Sequence, residues 1–186
     1  MDYIALFNEC APMVNKELLM AIVRTESDFR PLAIGINTKG ALRQQPKTKA
    51  EAASLAKGLI RQGHNIDLGL AQINSANLAR LSLTVDDAFD PCKNISAAGH
   101  LLQSDFKRAL IAGYQGDAAL IAGISAYNTG SFTRGIKNGY VKKVILSFDR
   151  IRHTRVFPTD LTHKKTSQPK AAQPVVPQTL NLNLQP

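Results

Sequence analysis

No stretch of this chain approaches the roughly 20 consecutive apolar residues needed to cross a bilayer, and neither end carries a lipidation motif, so membrane insertion is not expected. Cysteine is as sparse: Cys10 and Cys92 stand 82 positions apart, far from any CxxC or zinc-ligand spacing. No metal is expected there. The spacing leaves two readings open, a pair of unrelated buried thiols or a bridge, which in the chain-entropy model would contribute about 4 kcal/mol. Acids are few, 14 against 23 Lys and Arg, which gives a net charge of +9. From Arg150 onward six cations face one acid, Asp160, so more than half of the excess sits at the C-terminal end. Such a surplus suits an anionic partner, whether nucleic acid, phospholipid or an acidic wall polymer with peptide carboxylates, and a solvated basic surface explains it equally well. No DNA- or RNA-binding motif accompanies it, which ranks nucleic-acid binding last. The basic start and apolar stretch of a secretory signal are also missing from Met1-Asp2-Tyr3-Ile4-Ala5-Leu6-Phe7-Asn8-Glu9. An exported protein of this sequence is expected to have lost its signal or to use another route.

What is present suits one core. At 186 residues, 44% of them hydrophobic, the chain can form a single domain. Asn15 can cap a helix in which Leu18, Leu19, Ile22 and Val23 recur at three- and four-residue steps, with Pro31 as its outer limit. Thr48 and Glu51 form a capping box for a second helix that stops at Gly63. Leu32 to Asn37 and Asp67 to Asn74 read as short extended segments that could pair as a small hairpin. Further helices are expected from Ile95 to about Ala112, from Asp117 to Tyr127 before a Gly130 stop, and from about Gly139 to Phe148. The fold class is therefore mainly α. After Asp149 the periodicity ends: five of the nine prolines fall within 150–186 among Gln, Thr and Asn, so a domain over 1–149 followed by a basic, disordered tail is expected.

One acid stands out. Glu26 follows Val23 by three positions and Ile22 by four, so its carboxyl shares the apolar face of the first helix. Desolvation there would disfavour ionisation, which is how a carboxylic acid stays protonated near neutral pH to protonate a leaving group. A lone Glu at a helix end is more often a plain surface residue, and Asp28 is expected in solvent or capping the turn.

Three segments in order change that balance. Ala21-Ile22-Val23-Arg24-Thr25-Glu26-Ser27, Gly69-Leu70-Ala71-Gln72-Ile73-Asn74 and Ser125-Ala126-Tyr127-Asn128-Thr129-Gly130 together resemble the motifs of the soluble lytic transglycosylase family. Ala33-Ile34-Gly35-Ile36-Asn37, Asp67-Leu68-Gly69-Leu70, Phe89-Asp90-Pro91-Cys92 and Asn138-Gly139-Tyr140-Val141 look like its VirB-type members, which accompany type IV secretion systems. The resemblance covers roughly residues 8 to 148 and implies a goose-lysozyme-like helical fold acting on peptidoglycan in the periplasm, where Cys10 and Cys92 would pair. It implies a monomer that meets type IV secretion components.

Carried over, the resemblance makes Glu26 the essential acid and base, with Tyr127 hydrogen-bonded to it. Ser27, Gly69, Leu70, Ala71, Gln72, Ile73, Asn74, Ala126 and Asn128 would bind the glycan, the 69–74 segment through its backbone groups and Gln72, with Ala71 giving a thinner apolar wall than the Met common in the family. Tyr127 could equally be a core aromatic, and Asn128 a helix-ending residue beside Gly130. Glu26 would protonate the oxygen linking N-acetylmuramic acid to N-acetylglucosamine while the 2-acetamido group stabilises the cationic sugar. It would then take the proton of the muramyl 6-hydroxyl as that group closes a 1,6-anhydro ring, a route that needs no cofactor. A lysozyme-like hydrolase would need a second carboxylate to hold water, with Asp28 and Asp67 as candidates, and a non-catalytic assembly factor could keep the groove for glycan binding alone.

Overall fold

A computed structural model describes residues 2–38 and 42–154. Helix α1 (Tyr3–Cys10) starts where the Asp2 carboxylate accepts from the backbone N–H groups of Ile4 and Ala5. The periodic reading assigns no helix there, because α1 has only two turns and buries only Phe7 and Cys10. α2 (Lys16–Ser27) begins as expected, with Asn15 Oδ1 accepting from Leu18 N at 2.9 Å. Six successive residues, Leu18 to Val23, are buried, so this helix is the axis of the core instead of a one-sided surface helix.

Strand β1 (Ile34–Ile36) pairs antiparallel with β2 (Ile66–Leu68), placing Ile34 opposite Leu68, and β2 pairs with β3 (Ile73–Asn74). The expected hairpin gains a third strand because the chain doubles back within 67–74, through the turn at Gly69. α3 (Lys49–Arg61) lies between β1 and β2 in sequence and carries the capping box in both directions: Glu51 N donates to Thr48 Oγ1 at 3.2 Å and Thr48 N to Glu51 Oε2 at 3.3 Å.

α4 (Pro91–Ile111) starts four residues earlier than expected, since Asp90 Oδ1 accepts from Lys93 N and Pro91 occupies the first turn, where its missing N–H costs nothing. α5 (Gly116–Thr129) ends at Gly130, and a short α6 (Arg134–Lys137) leads to α7 (Tyr140–Thr154). Cys10 closes on Cys92 with Cα atoms 5.2 Å apart, so the bridge implied by the family resemblance ties α1 to the first turn of α4. α7 runs five residues past the expected domain edge at 149 and buries Ile151 in the core. Periodicity hides this last turn because Ile151 stands among Arg150, Arg152 and His153. The rest of the expected tail, 155–186, lies outside the described residues.

Candidate active site

Past Val23, α2 carries its apolar side one more turn to Glu26 and then ends abruptly, with Asp28 and Phe29 at φ of 52° and 59°. Glu26 thereby lines a groove of about 400 Å³. Burial pushes its carboxyl from 4.5 up to about 7; a hydrogen bond from Tyr140 pulls the other way, and the nearby negative charge of Asp67 adds to the rise. Near neutrality it can therefore hold a proton and then lose it.

Tyr140, not Tyr127, holds this carboxyl: its hydroxyl donates to Glu26 Oε1 at 2.6 Å. Tyr127, at the end of α5, instead donates to the backbone carbonyl of Ala71 at 2.9 Å. This corrects the expected pairing, and the reason is tertiary: α7 packs along α2 and sets Tyr140 beside Glu26, whereas the last turn of α5 faces the β2–β3 turn. Burial raises both phenols well above their usual range, so each stays a proton donor, and Tyr127 still borders the groove close to Glu26 and Asp67.

The 69–74 segment is a scaffold with a polar rim. Leu70, Ala71 and Ile73 are buried in the core, so their side chains do not reach the groove, and Ala71 forms no apolar wall facing a glycan. Ser27 is corrected likewise: it is buried, and its hydroxyl donates to the Leu70 carbonyl at 2.6 Å, fastening the turn to α2. Gly69 is buried at φ +75°, and a Cβ there would lie 2.4 Å from the Ala88 carbonyl oxygen. Gln72, Asn74, Ala126 and Asn128 do line the groove. The Gln72 amide nitrogen is already engaged by the carbonyls of Gly69 and Ala33, at 2.9 and 3.2 Å, and Asn128 Oδ1 accepts from Asn138.

The residue that fixes this turn most fully went unread in the sequence. Asn94 is buried in α4; its amide donates to the carbonyls of Leu68 and Ala88 at 2.9 and 2.7 Å, and its Oδ1 accepts from Ala71 N at 2.8 Å. An Asn among the apolar positions of a helix was the available signal. Tyr140 falls in the Asn138-Gly139-Tyr140-Val141 segment, where no local signal marks its contact with Glu26.

Of the two candidate second carboxylates, Asp28 is exposed at the end of α2, while Asp67 lines the groove. Asn74 Nδ2 donates to Asp67 Oδ1 at 2.7 Å and also to Asn65, giving a line of amides across the sheet. Burial raises Asp67 above the usual carboxylate range, and hydrogen bonds from Asn74 and Asn37 oppose that rise. The groove is also lined by Asn77, Arg80, Leu101, Asp105 and Arg108. Among the described residues no group of three or more His, Cys, Asp or Glu is arranged to hold a metal ion, and no helix is long and apolar enough to cross a membrane.

Residues 4–145 match the family described as "Transglycosylase SLT domain". The chain is 39% identical over 153 residues to the type IV secretion system protein virB1 of Brucella suis biovar 1 (strain 1330), covering 79% of this chain and 64% of that one. It is 43% identical over 136 residues to the protein virB1 of Agrobacterium fabrum (strain C58 / ATCC 33970), covering 73% and 55%. With the protein virB1 of Agrobacterium tumefaciens (strain 15955) the figures are 39% over 164 residues, 88% and 66%. The chain thus spans somewhat less than two thirds of the length of most of these curated relatives. No solved structure matches it. By the match over most of its length, the chain belongs to the SLT transglycosylase domain family, and its relatives there include these virB1 proteins.

Proposed function

We propose that this protein is a peptidoglycan lytic transglycosylase that cleaves the β-1,4 bond from N-acetylmuramic acid to N-acetylglucosamine and leaves a 1,6-anhydro muramyl end. The observation that carries the reading is Glu26, a largely buried carboxyl lining the groove, held at Oε1 by Tyr140 and raised to about 7. At that value one group can serve first as acid and then as base. With Oε1 occupied by the phenol, Oε2 is the oxygen that would give its proton to the glycosidic oxygen and later take one from the 6-hydroxyl. Gln72, Asn74, Ala126, Tyr127 and Asn128 would border the sugar chain, while Ser27, Gly69, Leu70, Ala71 and Ile73 would act from below by fixing the turn. The names of the relatives support work at a type IV secretion apparatus, and a peptidoglycan substrate would put that work in the periplasm, where cleavage would open the wall locally for assembly.

Asp67 supports a second reading. It is a carboxylate in the same groove, coupled electrostatically to Glu26, and could hold a water for lysozyme-like hydrolysis. Mass spectrometry of products formed from purified peptidoglycan in ¹⁸O-water separates the two. Anhydro-muramyl ends free of ¹⁸O are expected; reducing ends carrying one ¹⁸O would replace the transglycosylase reading with the hydrolase. Intact strands that still bind would leave only a glycan-binding assembly factor.

A further inference from the structure

The groove carries charges of both signs. Glu26 and Asp67 line it, and so do Arg80, Arg108 and Asp105, the two arginines acting electrostatically on Asp105. On α4, Asp105 and Arg108 follow Asn94 by 11 and 14 residues, about 16 and 21 Å along the helix at 1.5 Å per residue.

These guanidinium groups are braced. Arg108 Nη1 donates to Asp105 Oδ1 at 2.6 Å, and its guanidinium carbon lies 5.4 Å from the centre of the Phe132 ring. Arg80 Nη2 donates to Asn77 Oδ1 at 3.2 Å, and Arg80 also acts electrostatically on Asp105. Asp105, whose side chain is only 14% exposed, balances one of the two cations and leaves one positive charge over. A neutral sugar chain has no use for that charge. A planar fork of donors matches a carboxylate.

We propose that Arg80, with Arg108 set by Asp105, forms a carboxylate-binding subsite that receives the acidic substituent of a muramyl residue: the lactyl carboxylate itself or a carboxylate of the peptide attached to it. This rests on the peptidoglycan reading above and extends it to which strands are preferred.

The test measures binding in a Glu26→Gln background, so that strands stay uncut. Three ligands are compared: peptide-bearing strands, strands stripped by an amidase to free lactyl carboxylates, and peptide-bearing strands with every carboxyl capped as a methylamide. Arg80→Gln should weaken binding of peptide-bearing strands about three- to tenfold, as for a partly exposed charge-assisted contact. Arg80→Lys should recover part of the loss, and on capped strands the proteins with and without the Arg80→Gln change should bind alike. The lactyl carboxyl is free only once the peptide is gone, so weakening confined to peptide-bearing strands identifies a stem carboxylate, weakening confined to stripped strands identifies the lactyl carboxylate, and weakening on both means that either can occupy the subsite. An equal loss on capped strands, no loss on any strand, or the same loss from Lys143→Gln on the exposed side of α7 overturns the subsite. If the protein with Glu26 intact turns nothing over but binding keeps this carboxylate dependence, the catalytic reading falls and the subsite stands.

Discussion

Tyr140 donates its phenol hydrogen to Glu26 Oε1 at 2.6 Å, joining the first turn of α7 to the last turn of α2 across 114 positions of sequence. This bond opposes the burial that raises Glu26, so it sets how far the carboxyl rises. In Tyr140→Phe the alkaline limb of the kcat profile, governed by loss of the Glu26 proton near 7, should move to higher pH, with kcat at its optimum down by about tenfold. Tyr127→Phe removes a bond to the Ala71 carbonyl and should leave that limb in place. A pH profile of strand cleavage decides; an unmoved limb in Tyr140→Phe would exclude the phenol from tuning the acid.

Glu26→Gln should abolish cleavage and, above neutral pH, make the protein more stable. The native carboxyl keeps its proton up to about 7 whereas the unfolded one loses it near 4.5, so native stability declines as pH rises through that window. Gln does not titrate. The variant should gain as much as about 3 kcal/mol over the parent at pH 8 and nothing below pH 4. Urea unfolding at the two pH values tests this, and an equal difference at both would mean that packing, not ionisation, separates the proteins.

Asn94→Ala should cost about 3 kcal/mol or more, because it leaves the Ala71 N–H and the carbonyls of Leu68 and Ala88 without their partner inside the core. Asn94→Asp keeps the acceptor for Ala71 but loses both donors and introduces a charge, so it should not rescue. Unfolding midpoints give the cost, and hydrogen exchange at Ala71 should rise first.

Replacing both Cys10 and Cys92 by Ser frees α1 from α4 and reopens a loop of 82 positions, and should lower stability by about 2–4 kcal/mol. Because Cys92 is two residues from Asn94, the turn that Asn94 holds should become more exchange-labile as well. Thermal unfolding with and without reductant checks the first point; identical melting of oxidised and reduced protein would show that the bridge adds no stability.

The sequence by itself determined the helices whose signals are local. Asn15, the Thr48–Glu51 box and Gly130 each act within four residues, so caps and stops could be read without knowing what packs where. It also put Glu26 on an apolar helix face, since a period of 3.6 is itself a local property. Tertiary structure decided what local rules do not reach. Which tyrosine meets Glu26 depends on how α7 crosses α2, and two Tyr residues 13 apart look alike until that packing is known. Whether Ser27, Ala71 and Leu70 touch a groove or the core depends on the turn that Asn94 holds from α4. The meeting of acids and arginines in one groove arises because β2, α2, α4 and the chain after β3 converge there, and charges far apart in sequence acquire one field only once the chain has brought them together.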